Sequence, residues 1–180
     1  MPTELRVALA QRAKVATRWA TEHDGLVSAA ELRGFGWSPA AIRRAVAKGW
    51  LIPVHRGVYA VGHRPRTHRA QWRAAVLACG DGSALSHGSA AAVHGLLRPY
   101  HRVHVTAPTT RRHAGIATHT ADVEVVEVDG LPCTTVSRTL CDLAGSVPHR
   151  VLESAVRQAE HRRLLDLSSL DAPFRGKAGA

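Results

Sequence analysis

Long apolar runs are missing from this sequence: no window approaches the ~18 consecutive apolar residues of a membrane span. The opening stretch MPTELRVALAQRAKVATRW spreads its charges through a helical pattern instead of placing them ahead of an apolar block. No membrane partner is expected, and the chain is placed in the cytoplasm. Cysteine is scarce as well. Cys79, Cys133 and Cys141 are odd in number, far apart and set in apolar surroundings, which fits neither a disulfide framework nor a paired zinc motif. They read as small buried thiols. Of the 12 histidines, His87 and His94 are the pair sharing a helix face, and seven positions is too far for one ion without other ligands, so no metal site is expected. Nor does any carboxylate pair, catalytic triad or glycine-rich phosphate loop assemble, so neither a cofactor nor an enzymatic activity is expected.

Acidic residues are few where basic ones are many. Met1 to Arg73 carries 13 Lys and Arg against 4 Asp and Glu, a surplus of nine, whereas the remainder carries 11 against 10. A positive field confined to the first two-fifths of a chain favours a polyanionic partner over a small substrate. With 45% apolar residues among 180, the chain has enough to bury a core in one large or two small domains.

Apolar residues recur at helical spacing from Leu5 through Ala20, predicting a helix to about Thr21, broken by HDGL. SAAELRGFG follows, with Ser28 and Glu31 spaced as a capping box and Gly34 and Gly36 as stops. SPAAIRRAVAKG starts again: Ser38 is the N-cap, Pro39 takes the first helical position, where its missing N–H costs nothing, and Gly49 ends the helix. Two short helices joined by a glycine-containing turn make a helix-turn-helix. On the second, Ile42, Ala45 and Val46 face inward, while Ala40, Arg43, Arg44 and Ala47 face outward with Lys48 beside them. Cations among small alanines suit close approach to a DNA groove, where arginine bonds guanine O6 and N7 or grips phosphate. A solvated basic face is the competing reading for an isolated helix, and the continuation decides between them. WLIPV and VYAVG are β-favouring runs separated by HRG, a hairpin placed where a winged helix carries its wing. Its tip holds His55 and Arg56, and GHRPRTHR beyond it adds Arg64, Arg66 and Arg69. The expected DNA-contacting set is Arg33, Ser38, Arg43, Arg44, Lys48, His55, Arg56, Arg64 and Arg66. The helix reads bases, and the wing and its neighbours hold the backbone.

The ordered blocks HDGLVSAAELRGFGWSPAAIRRAVAKGWLIPVHRGVYAVG, LSHGSAAAVHGL, VHVTAP and DGLPCTTVSRTLCDLA, from about Glu22 to Leu167, resemble the AbiEi-type antitoxins of type IV toxin-antitoxin and phage-defence systems, in the form common in high-GC actinobacteria. The resemblance implies a winged helix that binds inverted repeats in its own promoter, a double-stranded DNA on which copies of the chain can pair. It also implies a C-terminal domain that counters a nucleotidyltransferase-like toxin. Many relatives continue into a nuclease-like PD-(D/E)xK domain. Here DVEVVEV offers the carboxylates Asp122, Glu124 and Glu127 with no Glu-x-Lys after them, and the chain stops soon after LLDLSSLDAPFRGKAGA, so no nuclease activity is expected.

The remainder predicts a helix over RTHRAQWRAAVLACG bridging two parts, divided as residues 1–66 and 67–180. ALSHGSAAAVHGLL reads as a short buried strand and a helix capped by Ser86. His87 is expected to be structural or interfacial rather than the base of a hydrolase, because no nucleophile elbow is present. RVHVTAP and GIATHTA alternate around a basic loop, and VEVVEV meets LPCTT across Asp129 and Gly130. TTVSRTLCDLAGS begins a helix with Leu140, Leu143 and Ala144 inward and Arg138 paired to Asp142. PHRVLESAVRQAEHRRLL is amphipathic, and the tail FRGKAGA has the composition of a fraying end. The expected fold is α+β: an N-terminal winged helix-turn-helix followed by a small α/β domain with a mixed or antiparallel sheet. The expected function is that of an antitoxin-like DNA-binding regulator. The alternative is a protein-interaction module, or the nuclease-less remnant of a fused protein, with no specific DNA reading.

Overall fold

The computed structural model describes residues 3–100, 102–109 and 112–165. The FRGKAGA tail, Thr110 and Arg111 of the basic loop lie outside them. The fold is α+β, and the chain divides into two units, Met1–Ala78 and Cys79–Ala180.

In the first unit α1 (Thr3–Glu22) buries Ala16 and Ala20. It ends in two left-handed residues, Asp24 at φ +57° and Gly25 at φ +79°, whose turn lets the Gly25 N–H donate to the Ala20 carbonyl at 2.7 Å. The stretch read as a simple break turns directly into a strand, β1 (Leu26–Ser28). Three residues are too few to show an alternating pattern, and only pairing with a later strand makes them one. α2 (Ala29–Gly34) has the predicted capping box in full: the Glu31 N–H donates to Ser28 Oγ at 3.1 Å, and the Ser28 N–H donates to Glu31 Oε2 at 2.6 Å. α3 (Pro39–Ala47) starts on Ser38, whose Oγ accepts from the Ala41 N–H at 3.2 Å, and gives way to Gly49 at φ +72°.

β2 (Leu51–His55) and β3 (Val58–Val61) form the hairpin, and the three strands lie in the order β1-β3-β2, all antiparallel. His55 pairs with Val58, so the loop is two residues, Arg56 and Gly57, shorter than the expected three. Gly57 sits at φ +77°, which so tight a reversal requires. Pro53 is tolerated because β2 is an edge strand and the register shifts between Pro53 and His55. The core beneath is Ala16, Val27, Leu32, Trp37, Ala41, Ile42, Ala45 and Leu51. Burying a leucine such as Leu32 or Leu51 fully contributes about 1.5–3 kcal/mol.

α4 (His68–Cys79) follows the hairpin and belongs to the first unit as far as Ala78. Asp24, in the turn after α1, accepts from Nε of both Arg69 (2.9 Å) and Arg73 (2.6 Å), tying α4 to the first unit. No local sequence pattern shows such a long-range pair of ion bonds.

The second unit is a mixed five-stranded sheet in the order β6-β5-β4-β8-β7: β4 (Ala84–Leu85), β5 (Val103–Ala107), β6 (Ile116–Thr120), β7 (Val125–Val128) and β8 (Leu131–Thr134). β4/β8 and β5/β6 are parallel; β4/β5 and β7/β8 are antiparallel. The Asp129-Gly130 turn forms as expected, both residues at positive φ. Three helices, α5 (His87–Val93), α6 (Val136–Ala144) and α7 (His149–His161), complete the unit, with Ala91, Leu96, Leu140, Leu143, Ala155 and Ala159 forming a core. Ala144, expected inward, is exposed, being the last residue of α6. Ser86 occupies the N-cap position of α5 but makes no side-chain cap; its Oγ lies 3.1 Å from His87 Nδ1 instead. Arg138 Nε donates to Asp142 Oδ1 at 2.8 Å, as expected. Cys79 and Cys133 are buried, and Cys141 is only half-buried.

Candidate nucleic-acid interface

The predicted division of α3 is largely the observed one, except that Ala40, expected outward, is half-buried and Ala41 joins the buried face. Ala41, Ile42 and Ala45 are buried and Val46 half-buried, whereas Arg43, Arg44, Ala47 and Lys48 are exposed. Nine residues at about 1.5 Å each make a rod ~13 Å long. Trp37, just ahead of the N-cap, and Trp50, just past the glycine stop, stack in parallel with ring centroids 5.2 Å apart and planes 1° apart. Together with Ala41, Arg44, Ala45 and Lys48 they line a shallow groove of about 210 Å³. The two cations one turn apart therefore stand at the rim of an aromatic floor.

The other predicted residues divide. Arg33 in the last turn of α2, Arg56 at the hairpin tip and Arg66 are exposed. Ser38 has its hydroxyl engaged in capping, and His55 is half-buried at the end of β2. Arg64 is exposed, but its Nη2 donates to the Pro53 carbonyl at 2.6 Å, which pins it along the edge strand. Arg69, read as part of the backbone-holding strip, is instead bonded to Asp24 and serves the fold.

The second unit gathers a constellation that sequence reasoning missed. His104 on β5 and His119 on β6 lie on one sheet face, because the parallel register sets Thr106 opposite His119, and Thr106 shares its face with His104. His104 Nδ1 and His119 Nε2 are 3.1 Å apart. His87, the first residue of α5, stacks on His119 with ring centroids 3.8 Å apart, and its Nδ1 lies 3.7 Å from Asp142 Oδ2. Nitrogens of all three rings fall within 4.8 Å of one another, a grouping able to hold a metal ion. Burial chiefly, offset in part by Asp142, pushes the His87 ring down to about 4, and burial also lowers His104 and His119. Helix-face spacing pairs His87 with His94, seven positions on and too far apart for one ion without other ligands. His94 Nε2 instead lies 2.8 Å from the Thr134 carbonyl. The true companions come from two strands distant in sequence, a relation that no local pattern carries.

Residues 15–62 match the family described as transcriptional regulator, AbiEi antitoxin, which bears out the resemblance over the winged-helix segment. Among solved structures, the RV2827C protein from Mycobacterium tuberculosis is similar over 96% of this chain and 82% of its own, with 16% identity and a TM-score of 0.46. No curated protein matches. Among the described residues no helix is long and apolar enough to cross a membrane.

Proposed function

With the AbiEi-type match over residues 15–62 as premise, we propose that this chain is a non-enzymatic, DNA-binding antitoxin-like regulator that represses its own promoter. The observation that carries the reading is the outward face of α3: Arg43, Arg44 and Lys48 stand exposed around Ala47 while the opposite face is buried, and a hairpin with Arg56 at its tip follows at once. Small residues between cations let a helix seat closely in a major groove, and the wing reaches phosphate. Arg33 and Arg66 add exposed charge for the backbone. Ser38, His55 and Arg64 play lesser parts in this reading, because their polar groups or burial already serve the fold. Two copies on an inverted repeat, and a nucleotidyltransferase-like toxin countered by the second unit, are the partners that the family resemblance supplies.

Selection of bound sequences from a random duplex pool tests the proposal, run with the natural chain and with Arg43→Ala/Arg44→Ala. An inverted repeat recovered by the natural chain and lost by the variant supports it. Recovery of no motif overturns it and leaves the basic unit as a docking surface.

A further inference from the structure

We propose that His87, His104 and His119 form a binding site for one divalent transition-metal ion of the zinc class. This site is independent of the DNA-reading helix. Three imidazoles with one open position are a donor set that suits zinc, cobalt, nickel or copper rather than magnesium or calcium.

Geometry comes first. Metal–nitrogen bonds of about 2.0–2.1 Å at tetrahedral angles put ligand nitrogens ~3.3 Å apart. His104 Nδ1 and His119 Nε2 already stand at 3.1 Å, and a nitrogen of His87 completes a set within 4.8 Å. His87 and His119 lie face to face with planes 18° apart, so one of them rotates about χ2 to aim its lone pair at the shared ion. In the metal-bound state His104 keeps its proton on Nε2 and His119 on Nδ1. The contact between their facing nitrogens gives way to two metal bonds, and burial, which lowers both rings, favours the neutral form that a ligand must have.

The surroundings independently ask for a ligand. Asp142 Oδ2 is buried with no hydrogen-bond partner, as is the hydroxyl of Thr106, which sits directly across the sheet from His119. A buried carboxylate oxygen left unbonded is costly. Asp142 Oδ1 is held by Arg138, which leaves Oδ2 facing His87 Nδ1. With His87 Nε2 on the ion, its Nδ1–H points at Asp142 or Ser86, the carboxylate-histidine-metal arrangement that fixes a ligand's tautomer. His87 also holds φ +49°, a left-handed conformation that a residue with a Cβ adopts at a cost. That strain sets the ring over the two strand histidines.

The full chain, stripped with a chelator, is titrated with Co²⁺ and then with Zn²⁺ as competitor. The expected result is one equivalent of Co²⁺ with the visible absorption of low-coordinate nitrogen ligation, displaced by Zn²⁺. His104→Ala and His119→Ala should each abolish that band, and Asp142→Asn should weaken binding by about 10- to 100-fold. His94→Ala and His149→Ala should leave it intact. To guard against variants that do not fold, imidazole ¹⁵N resonances of the natural chain are followed with Zn²⁺: those of His87, His104 and His119 should move together at one equivalent. Absence of binding at one equivalent, or shifts spread over other histidines, overturns the proposal and leaves a neutral, solvent-satisfied histidine stack.

Discussion

Trp37, just ahead of α3, and Trp50, just past it, stack with their planes 1° apart, so one aromatic contact joins the segments that flank the helix. Stacked pairs of this kind contribute about 0.5–1.5 kcal/mol beyond the area they bury. Trp50→Ala should therefore cost ~2–4 kcal/mol in unfolding free energy, read by denaturant titration. It should also weaken DNA binding at temperatures where the variant is still folded. Unchanged binding by a folded Trp50→Ala would detach the groove from function.

Arg43 and Arg56 should differ in kind. Arg43→Ala, if that side chain reads a guanine, should lose ~1–3 kcal/mol on the preferred sequence and little on others. Arg56→Ala should weaken all sequences alike and lower the salt slope by about one. With about five phosphates neutralised, log affinity against log salt should fall with a slope of about −4 to −5. Equal losses on every sequence for both variants would remove the base-reading role.

Asp24 gathers Arg69 and Arg73 from a left-handed turn position. Asparagine tolerates that backbone conformation, so Asp24→Asn isolates the charge. The pair is partly exposed, Arg69 more than Arg73, so the expected loss is ~1–3 kcal/mol, smaller than for a fully buried pair. Because the turn and α4 belong to one unit, amide exchange should rise in α4 and in the β1–β3 ladder while the second unit's sheet is unaffected.

Burial first, and Asp129 second, pushes the Cys133 thiol up to about 12, and burial raises Cys79 too. Near pH 8 a thiol reagent should label half-buried Cys141 first and reach the other two only on unfolding. The unfolded chain ionises Cys133 at its ordinary value near 9 while the folded chain keeps it protonated. Stability from this group is thus full below pH 9 and declines as pH rises from there toward 12. Equal labelling rates at all three cysteines in the native protein would contradict the burial described.

Most of the winged unit was legible in local sequence, because the signals that make it are local. Ser28 and Glu31 cap within three residues, Pro39 and Gly49 bracket α3, and the apolar stripe of Ile42 and Ala45 sorts its faces without reference to anything distant. The Asp129-Gly130 hairpin and the Arg138–Asp142 pair are of the same kind. What the tertiary structure decided are relations between residues far apart. β1 is a strand because β3 pairs with it, and α4 joins the first unit because Asp24 reaches two of its arginines. The same long-range pairing took Arg69 out of the basic strip. Likewise β5 and β6 run parallel, which brings His104 and His119 to one face beneath His87. Periodicity and capping are properties of a few consecutive residues and survive in the sequence as pattern. Sheet register and ion pairing across the fold arise only when the packed core fixes which segments meet.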